Sequence, residues 1–502
     1  MVAHINTVAF QGITPKTVDV QVHIASGMPA FSIVGLPDKA VGESKERIRS
    51  AMNSLGLSLP PSRMTVNLAP ADVIKEGSHY DLAIALGLMV EMNVIKADEL
   101  SRYIVLGELS LDGSITNVAG TLPAAIHAAS LGMGVICPQK NGPEACWAGE
   151  IEIIAANNLL ELINHFKGTQ VITPPTIKFD EAANTNYPDM RDIKGQETAK
   201  RALEVAASGG HNMLMMGPPG SGKSMLASRL PGITPDLTSN EMLDVSMIES
   251  ITNNLEEGKV KRSRPFRDPH HSCSMAAMIG GGKRALPGEI TLAHNGVLFL
   301  DELPEFPRQV LDSLRQPLET GKVMVSRASA HVTYPANFQL VAAMNPCRCG
   351  YLGDANRACN KAPKCAVDYQ SKISGPLFDR IDIHIEVPPV TPMDLNKEPP
   401  KEGSKEVLDR VQNSREIQKE RYKGLDFNTN SRADGEVLMQ VAKPDNEGSK
   451  MLDVAFEKMG LSMRGYNRVL RVARTIADMN ASENVKKEHI AEAIGYRKVN
   501  FM

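Results

Sequence analysis

The first 167 residues alternate short apolar runs with segments that have a helical period. Runs of strand length lie at 18–24, 63–69, 103–111 and 134–138. Segments 44–57 and 122–131 instead place apolar residues three and four positions apart, which is the spacing of one helix face. We therefore predict an α+β or α/β domain over residues 1–167. The polar, proline-containing stretch that follows predicts a linker over 168–190.

The middle of the chain repeats this alternation more regularly. Apolar runs of strand length lie at 213–216, 296–300, 340–344 and 381–388. Because helical segments separate these strands, we predict a parallel sheet with crossover helices over 191–390. A charged, proline-containing stretch predicts a second linker over 391–405. Helical patterns dominate beyond it, so 406–502 is predicted to be an all-helical domain. These patterns lie at 407–422, 450–459, 464–479 and 487–496.

Composition narrows the class of protein. With 502 residues, 42% of them hydrophobic and 23% charged, the chain is too long for one core and ordinary for several globular domains. Its longest strongly apolar stretch, 82–90, is well short of the roughly 20 residues that cross a bilayer. The first residues lack the basic-then-apolar pattern of a secretion signal. We therefore expect a cytoplasmic protein with no membrane partner. A net charge of −3 confines any contact with nucleic acid to a local patch.

A phosphate-binding pattern follows the first strand of the middle region. The segment GPPGSGKS satisfies G-x-x-x-x-G-K-[ST] and opens a helical segment. Its members are Gly217, Pro218, Pro219, Gly220, Ser221, Gly222, Lys223 and Ser224. The glycines let backbone N–H groups converge on phosphate oxygens, Lys223 brings a positive charge to the β and γ phosphates, and the Ser224 hydroxyl is a Mg²⁺ ligand. The pattern therefore predicts a nucleotide site.

Two later apolar strands end in polar residues. The run 296–300 leads into Asp301 and Glu302, and the run 340–344 leads into Asn345. Because they follow the phosphate-binding lysine in the same domain, we predict Asp301 in the Mg²⁺ shell and Glu302 as general base for the attacking water. Asn345 is assigned to orient water or sense the γ-phosphate, with an Asx-turn before proline as the alternative.

This order of motifs resembles AAA+ ATPases of the magnesium-chelatase-like clade. The resemblance extends to GPLFDRID at 375–382 and to SMRGY at 462–466. The blocks RPFRDPHH at 264–271, IGGG at 279–282 and AHNGVLFLDELPEF at 293–306 resemble the ComM/YifB family in particular. The match covers essentially the whole chain. It implies a central αβα P-loop NTPase domain with a helical C-terminal lid, and ATP and Mg²⁺ as cofactors.

The resemblance also implies a homo-oligomeric ring, usually a hexamer, with ATP held between subunits. Arg380 would be the arginine finger, which stabilises transition-state charge on the nucleotide of the neighbouring subunit. Arg464 would be the sensor arginine of the lid, and Arg468 is the second candidate for that role. Interhelical ion pairs are the alternative for Arg380 and Arg464.

ComM-like proteins are DNA helicases that drive branch migration, so the resemblance implies a DNA motor of recombination or natural transformation. The basic positions between the nucleotide motifs are Lys259, Lys261, Arg262, Arg264, Arg267, Lys283 and Arg284. They could track DNA phosphates, with a solvated charged face as the alternative. A β-hairpin is predicted within 321–338, carrying Arg327 and His331, and in related motors this hairpin lines the pore. Aromatic residues make up 4% of the chain, which favours backbone contact over base stacking.

Four cysteines occupy the loop before Arg380. Cys347, Cys349, Cys359 and Cys365 offer the thiolates of a structural Zn²⁺ site. The second pair is spaced more widely than the usual C-x₂₋₄-C, so reduced thiols without a metal are the alternative. The adjacent residues 270–271, both histidine, are expected to form hydrogen bonds and not a metal pair, because neighbouring side chains diverge.

The N-terminal domain resembles a different enzyme class. The segments EGSHYDL at 76–82 and LGELSLDG at 106–113 resemble the Lon protease-like domain, which has a ribosomal S5 domain 2-like fold. The alignment puts His79 at the position of the family's nucleophilic serine, with Ser78 beside it, and Thr121 and Leu122 at its lysine. Since a Ser/Lys mechanism needs both groups in contact, we expect a protease-like scaffold without protease activity.

Two other functions compete with a DNA motor. One is a chelatase-type remodelling ATPase that acts on a protein or tetrapyrrole complex. The Lon-like N-terminal domain argues against it, because such motor subunits typically lack one. The other is an ATP-dependent protease, which the missing Ser/Lys pair disfavours.

Overall fold

The computed structural model describes residues 2–177, 187–255, 258–282, 285–326, 331–352, 360–361, 363–395 and 402–497. Four residues singled out in the sequence analysis lie outside these ranges, namely Lys283, Arg284, Arg327 and Cys359. Within the described ranges, no helix combines the length and apolar character needed to span a membrane.

A seven-stranded mixed sheet organises the N-terminal part of the chain. Its strands are β1 (Ala3–Gln11), β2 (Thr14–Ala25), β3 (Ala30–Val34), β4 (Arg63–Ala69), β5 (Tyr103–Val105), β8 (Gly134–Pro138) and β9 (Ile153–Ala156), and a separate ribbon pairs β6 (Glu108–Leu109) with β7 (Ile115–Thr116). The spatial order is β3-β4-β2-β1-β5-β8-β9. Strand β2 runs antiparallel to both of its neighbours, while the other pairs of the sheet are parallel. The predicted mixture of strands and helices is therefore confirmed.

Six helices accompany this sheet. They are α1 (Lys39–Ser54), α2 (Asp81–Glu91), α3 (Ala97–Leu100), α4 (Thr121–Ser130), α5 (Gly142–Ala145) and α6 (Leu159–Phe166). Helix α1 begins earlier than predicted because the Asp38 carboxylate accepts a hydrogen bond from Val41 N at 2.8 Å and caps its first turn. Helix α2 is buried on every side from Leu82 to Met89, which explains the uninterrupted apolar run in the sequence.

The strand predicted over 103–111 is two short strands. The chain leaves the sheet after Val105, and Gly107 O accepts a hydrogen bond from Leu82 N at 3.0 Å. A Cβ at position 107 would lie 2.9 Å from the Leu82 side chain. The strand therefore breaks where the backbone must approach helix α2.

A five-stranded parallel sheet forms the central domain. Its strands are β10 (Met213–Met216), β11 (Phe266–Arg267), β14 (Val297–Leu300), β17 (Gln339–Met344) and β18 (Ile383–Glu386), in the spatial order β11-β14-β17-β10-β18. Two antiparallel hairpins accompany them, β12 (Gly280–Gly281) with β13 (Leu286–Pro287) and β15 (Lys322–Ser326) with β16 (His331–Pro335). The parallel sheet predicted for this region and the hairpin predicted within 321–338 are both confirmed.

Helices cover this sheet and continue as the C-terminal region. Those of the central part are α7 (Glu197–Gly209), α8 (Lys223–Ala227), α9 (Ser239–Ile251), α10 (Met275–Ile279), α11 (Glu289–Leu292), α12 (Arg308–Ser313), α13 (Arg315–Thr320), α14 (Lys364–Gln370), α15 (Gly375–Phe378) and α16 (Pro392–Leu395). The C-terminal ones are α17 (Ser404–Arg421), α18 (Gly435–Val441), α19 (Asn446–Met459), α20 (Met463–Met479) and α21 (Lys487–Gly495). Buried residues of α17, α20 and α21 share one apolar core with β10 and β18. The helical C-terminus is thus packed on the sheet that carries the phosphate-binding motif.

A buried polar contact joins the N-terminal region to the central region. Gly120 N donates to Ser250 O at 3.0 Å, which sets the start of α4 against the end of α9. The Glu144 carboxylate accepts from Leu122 N, from Asn141 Nδ2 and from the Ser250 hydroxyl. Burial raises the pKa of Glu144, while these donors act in the opposite direction. The N-terminal region is therefore docked on the helix that leads toward β11.

Candidate nucleotide-binding site

The predicted phosphate loop lies between β10 and α8, at the carboxyl edge of the parallel sheet. Gly220 and Gly222 have positive φ angles of 75° and 87°, which glycine adopts at no steric cost. A Cβ on Gly217 would lie 2.2 Å from Val387 O, so this position admits only glycine without a shift of the neighbouring backbone. The loop therefore has the strand-turn-helix context that the motif requires.

Lys223 is buried inside this loop. Its Nζ donates to Gly217 O at 2.8 Å and to Pro218 O at 2.9 Å, and it lies 3.3 Å from Asn345 Oδ1. Burial lowers the pKa of Lys223, and the negative charges of Asp301 and Glu302 partly oppose this effect. The lysine and the amide at the end of β17 thus face the same small volume.

Ser224 and Asp301 place two oxygen atoms that could bind a metal ion next to each other. The Ser224 hydroxyl donates to Asp301 Oδ2 at 2.7 Å. The pair forms because β10 and β14 are parallel strands on either side of β17, so their carboxyl ends meet at one edge. Hydroxyl and carboxylate oxygens are the ligands that Mg²⁺ prefers. The residues present therefore fit a magnesium ion at this position.

Glu302 follows in a left-handed conformation, with φ of 51°. Its amide N donates to Asp301 Oδ1 at 2.9 Å, and its side chain is about half exposed. Glu302 Oε2 lies 3.5 Å from His271 Nδ1. The half-exposed carboxylate is accessible to water, which a general base requires.

His271 and Asp268 are neighbours of the site that the sequence analysis did not assign to it. Strand β11, only two residues long, pairs in parallel with β14 and delivers both residues to the same edge. Burial, together with the negative charge of Asp301, raises the pKa of Asp268. The sequence feature that could have indicated His271 and Asp268 is the polar run directly after a short apolar segment. His270 Nδ1 contacts the Ser272 hydroxyl at 2.7 Å, in keeping with the predicted hydrogen bonding.

Arg380 lies at the opposite edge of the sheet. Strand β18 is parallel to β10, with Met213 opposite Ile383 and Met216 opposite Glu386. Arg380 precedes β18, whereas the phosphate loop follows β10. Along the strand direction, Arg380 and the phosphate loop are therefore separated by the length of one strand, about 13 Å. The arginine is 8% exposed, and its guanidinium donates to Pro376 O at 2.7 Å.

Glu319 contacts both arginines to which the family resemblance assigns a role in ATP hydrolysis. Arg380 Nη2 lies 2.5 Å from Glu319 Oε1, and Arg464 Nη2 lies 3.9 Å from the same oxygen. Arg464 is well exposed, at 61% of its side chain. Arg468 instead pairs with the buried Asp382 carboxylate. The buried Arg380 and the exposed Arg464 thus meet at one carboxylate, and Arg468 serves the packing of α20 on the sheet.

Two of the arginines predicted to contact DNA are paired with other residues of this chain. Arg264 donates to Asn295 O at 2.7 Å and pairs with Glu241 at 3.3 Å. Arg267 forms two hydrogen bonds with the Glu289 carboxylate, at 2.7 and 2.8 Å. Carboxylates and carbonyls of the fold therefore hold both arginines, with Arg264 17% and Arg267 40% exposed in their side chains, and their contact with DNA stays a prediction. Arg262 is exposed, and Lys259 and Lys261 are partly buried.

The structure brings together three of the four predicted zinc ligands. The sulfur atoms of Cys347, Cys349 and Cys365 all lie within 4.8 Å of one another. These residues occupy the turn after β17 and the first turn of α14. They adjoin the nucleotide site through Asn345, which lies two residues before Cys347.

The residues at the Lon-like positions make other contacts. The Ser78 hydroxyl donates to Glu108 Oε2 at 2.5 Å, and His79 Nε2 lies 2.8 Å from Val8 O. Burial lowers the pKa of His79 to about 4. Thr121 is buried at the start of α4, and Leu122 N donates to Glu144. Each of these side chains is therefore engaged in holding the N-terminal fold together.

Comparisons with known families agree along nearly the whole chain. The family model described as magnesium chelatase, subunit ChlI, matches residues 189–395. The model of subunit ChlI of Mg-chelatase matches residues 20–141, and that of the subunit ChlI C-terminal region matches residues 401–497. The matched segments cover much of the N-terminal sheet, the parallel sheet and the C-terminal helices.

Individual relatives match over most of their length. Competence protein ComM of Haemophilus influenzae is 42% identical over 495 residues, which cover 97% of this chain and 96% of the relative. The YifB protein of Escherichia coli is 41% identical over 498 residues, covering 99% and 97%. The magnesium-chelatase 38 kDa subunit of Rhodobacter capsulatus is 24% identical over 317 residues, covering 59% of this chain and 83% of the subunit. This chain therefore belongs to the ComM/YifB family of magnesium-chelatase-like AAA+ proteins.

Proposed function

We propose that this protein is an ATP-driven ring motor that moves branch points in DNA, acting as a ComM-like helicase in recombination or natural transformation. One observation carries the motor part of the proposal. Lys223, Ser224, Asp301 and Glu302 lie at one edge of the parallel sheet, and Arg380 lies at the other. Both parts of the proposed ATPase site are present in one chain but lie at opposite ends of the strands, which supports a site that adjacent copies complete for each other.

The chemistry follows from the residues at each edge. Bound Mg²⁺ would be held by Ser224 and Asp301 and would neutralise charge on the β- and γ-phosphate oxygens. Backbone N–H groups of the loop 217–224 and the Lys223 ammonium position the triphosphate. Glu302 accepts a proton from the attacking water, and Asn345 orients that water or contacts the γ-phosphate. The neighbour's Arg380 stabilises the charge that develops on the transferred phosphoryl group.

We assign Arg464 to the same shared site. Its guanidinium lies near the Glu319 carboxylate that also binds Arg380, so the two arginines would meet a neighbouring nucleotide together. Glu319 holds both in a defined direction before the neighbour arrives. A closed ring in which each copy presents one edge to the next satisfies every such site, and we propose a hexamer of this kind.

The domains divide the work in this proposal. Residues 191–390 form the AAA+ motor, 406–502 its helical lid, and 168–190 and 391–405 the linkers. Residues 1–167 form a ribosomal S5 domain 2-like scaffold without protease activity. The contacts of Ser78 and His79 support this, because each side chain is held by a partner other than a lysine.

The DNA part of the proposal rests on family membership and on local charge. A relative that covers almost the whole chain is named a competence protein. The exposed Arg262 and the nearby Lys259 and Lys261 offer positive charge on the segment between α9 and β11. We propose that this segment and the β15–β16 hairpin contact the DNA backbone near the axis of the ring.

The experiment that tests this function is branch migration on a three-stranded DNA junction of matched sequence. We expect the wild-type chain to displace the labelled strand with ATP and Mg²⁺ and to remain inactive without ATP. Lys223→Ala should abolish displacement, because it removes the charge on the phosphates. DNA that neither binds to the protein nor stimulates its ATP hydrolysis would contradict the proposal.

A chelatase-type remodelling ATPase is the second candidate. It is favoured by the family models, all of which are described by the ChlI subunit of magnesium chelatase. ATP hydrolysis that is stimulated by a protein partner and unaffected by DNA would support this candidate against the first.

A further inference from the structure

Three cysteines from two parts of the chain, the turn after β17 and helix α14, converge beside the nucleotide site. Cys347 is fully buried, and its sulfur lies 3.0 Å from that of Cys349. The sulfur of Cys365, from α14, completes a cluster in which all atoms lie within 4.8 Å of one another. The 3.0 Å separation is longer than the roughly 2.05 Å of an S–S bond, so the arrangement is that of thiols gathered around a point.

We infer that Cys347, Cys349 and Cys365 bind a zinc ion through their thiolates. On a tetrahedral zinc with Zn–S distances of about 2.3 Å, the sulfurs lie about 3.8 Å apart. The observed cluster reaches this geometry by small side-chain movements. Sulfur donors select zinc, whereas the oxygen donors of Ser224 and Asp301 suit magnesium. The chain thus offers two chemically distinct metal sites on either side of Asn345.

The local structure gives this metal a mechanical role. Of the residues that the structure describes between 348 and 365, only Gly350 is buried. Such a segment gains little from apolar burial, and a thiolate-bound metal supplies the missing free energy of ordering. The positive charges of Arg348 and Lys364, which adjoin the ligands in sequence, favour a site that carries several thiolates.

Gly350 lies directly on the phosphate loop. Gly350 has a φ of 83°, and a Cβ there would lie 2.6 Å from Pro219 Cδ. Gln370 Nε2, at the end of α14, donates to Pro346 O at 2.9 Å. Zinc would therefore fasten α14 to the end of β17 and hold Gly350 against Pro219. We expect zinc to support nucleotide binding through position, without touching the nucleotide.

The test is the zinc content of the full-length chain, produced in zinc-supplemented medium without a metal-binding tag. Elemental analysis by inductively coupled plasma mass spectrometry should give roughly one zinc ion per chain. Cys347→Ser and Cys365→Ser should each reduce it below about a tenth of that value, since loss of a ligand strongly weakens a thiolate site. Cys273→Ser is the matched control, because Cys273 is also a partly buried thiol but lies between β11 and α10. It should retain its zinc.

Cobalt substitution of the wild-type chain gives a reading that does not depend on whether a serine variant folds. We expect a thiolate-to-cobalt charge-transfer absorption in the near ultraviolet. A wild-type chain that contains no zinc, or that holds cobalt without this absorption, would overturn the inference, as would a Cys347–Cys349 disulfide as the isolated form. Neither measurement requires ATP or DNA, so failure here is distinguishable from failure of the proposed motor function.

Zinc removal by a chelator should also weaken binding of a fluorescent ATP analogue to the wild-type chain. The Cys273→Ser control should respond in the same way as the wild type. Equal nucleotide affinity with and without zinc would refute the mechanical link to the phosphate loop.

Discussion

Replacement of Asp382 by asparagine should loosen the attachment of the helical C-terminus to the five-stranded parallel sheet. Asp382 is 2% exposed and pairs with Arg468 of α20. Its Oδ2 accepts from Asn212 N at 3.0 Å and lies 3.7 Å from His211 Nδ1. The residue stands two positions after Arg380, directly before β18. It therefore links helix α20, the parallel sheet and the segment that carries the proposed arginine finger.

The expected magnitude follows from burial. Asparagine preserves the shape of the side chain but leaves the Arg468 guanidinium, itself only 13% exposed, without a compensating charge. Breaking a buried ion pair by removing one partner costs about 3–5 kcal/mol. In a domain of 150–250 residues each kcal/mol lowers the melting temperature by roughly 2–4 °C. We therefore expect Asp382→Asn to melt about 6–20 °C below the wild type.

The pH dependence of the stability difference provides an independent test. Burial alone would raise the pKa of Asp382, but the Arg468 charge and the contacts with His211 outweigh it and hold the pKa well below the usual range. A carboxyl whose pKa is lower in the folded state stabilises the fold above its unfolded pKa of about 3.9, and this contribution is lost as the pH falls through the folded value. The stability difference between wild type and Asp382→Asn should therefore shrink progressively below about pH 4.

Thermal unfolding followed by circular dichroism between pH 3 and pH 7 measures both effects. The matched control is Glu420→Gln, because Glu420 pairs with Lys423 at 3.6 Å while both side chains are 77% exposed. This control should melt with the wild type at every pH. An Asp382→Asn variant that is as stable as the wild type at pH 7, or whose deficit grows as the pH falls, would refute the reasoning.

Three further predictions concern the site itself. Glu302→Gln should lower ATP hydrolysis by about 10²–10⁴-fold while leaving nucleotide binding intact, and undiminished hydrolysis would show that another group is the base. Gly217→Ala should weaken binding of a fluorescent ATP analogue, because the added Cβ would lie 2.2 Å from Val387 O; an unchanged affinity would contradict the close packing of the loop. Affinity for DNA should fall steeply with salt, and Arg262→Ala should reduce the slope of log K against log[salt] by about 1; a flat response would argue against backbone contact.

The sequence signals of the phosphate loop and its carboxylates are local. A glycine-rich turn between a strand and a helix, and acids directly after an apolar run, each lie within one short segment. The parallel sheet then brings Ser224 to 2.7 Å from Asp301 although they are 77 positions apart. The convergence is a consequence of topology, since parallel strands deliver their carboxyl ends to one edge.

Other features depend on partners that no local pattern reveals. Arg264 and Arg267 look like a basic patch in the sequence, but Glu241 and Glu289 neutralise them in the fold. Strand β11 has only two residues, too few for a period-two pattern, so its delivery of His271 to Glu302 escaped prediction. The early start of helix α1 could have been predicted, because Asp38 is a typical N-cap residue.

The central claim is that two copies of this chain build each ATPase site, and mixed oligomers test it most directly. Lys223→Ala disables the phosphate-binding edge, and Arg380→Ala disables the opposite edge. When the two variants are co-expressed with different tags and purified through both, some interfaces should pair an intact Lys223 with an intact Arg380. We predict that each variant alone is inactive and that the mixed oligomer regains part of the wild-type ATP hydrolysis. A mixed oligomer as inactive as its parents, or an Arg380→Ala variant that hydrolyses ATP at the wild-type rate, would contradict the account.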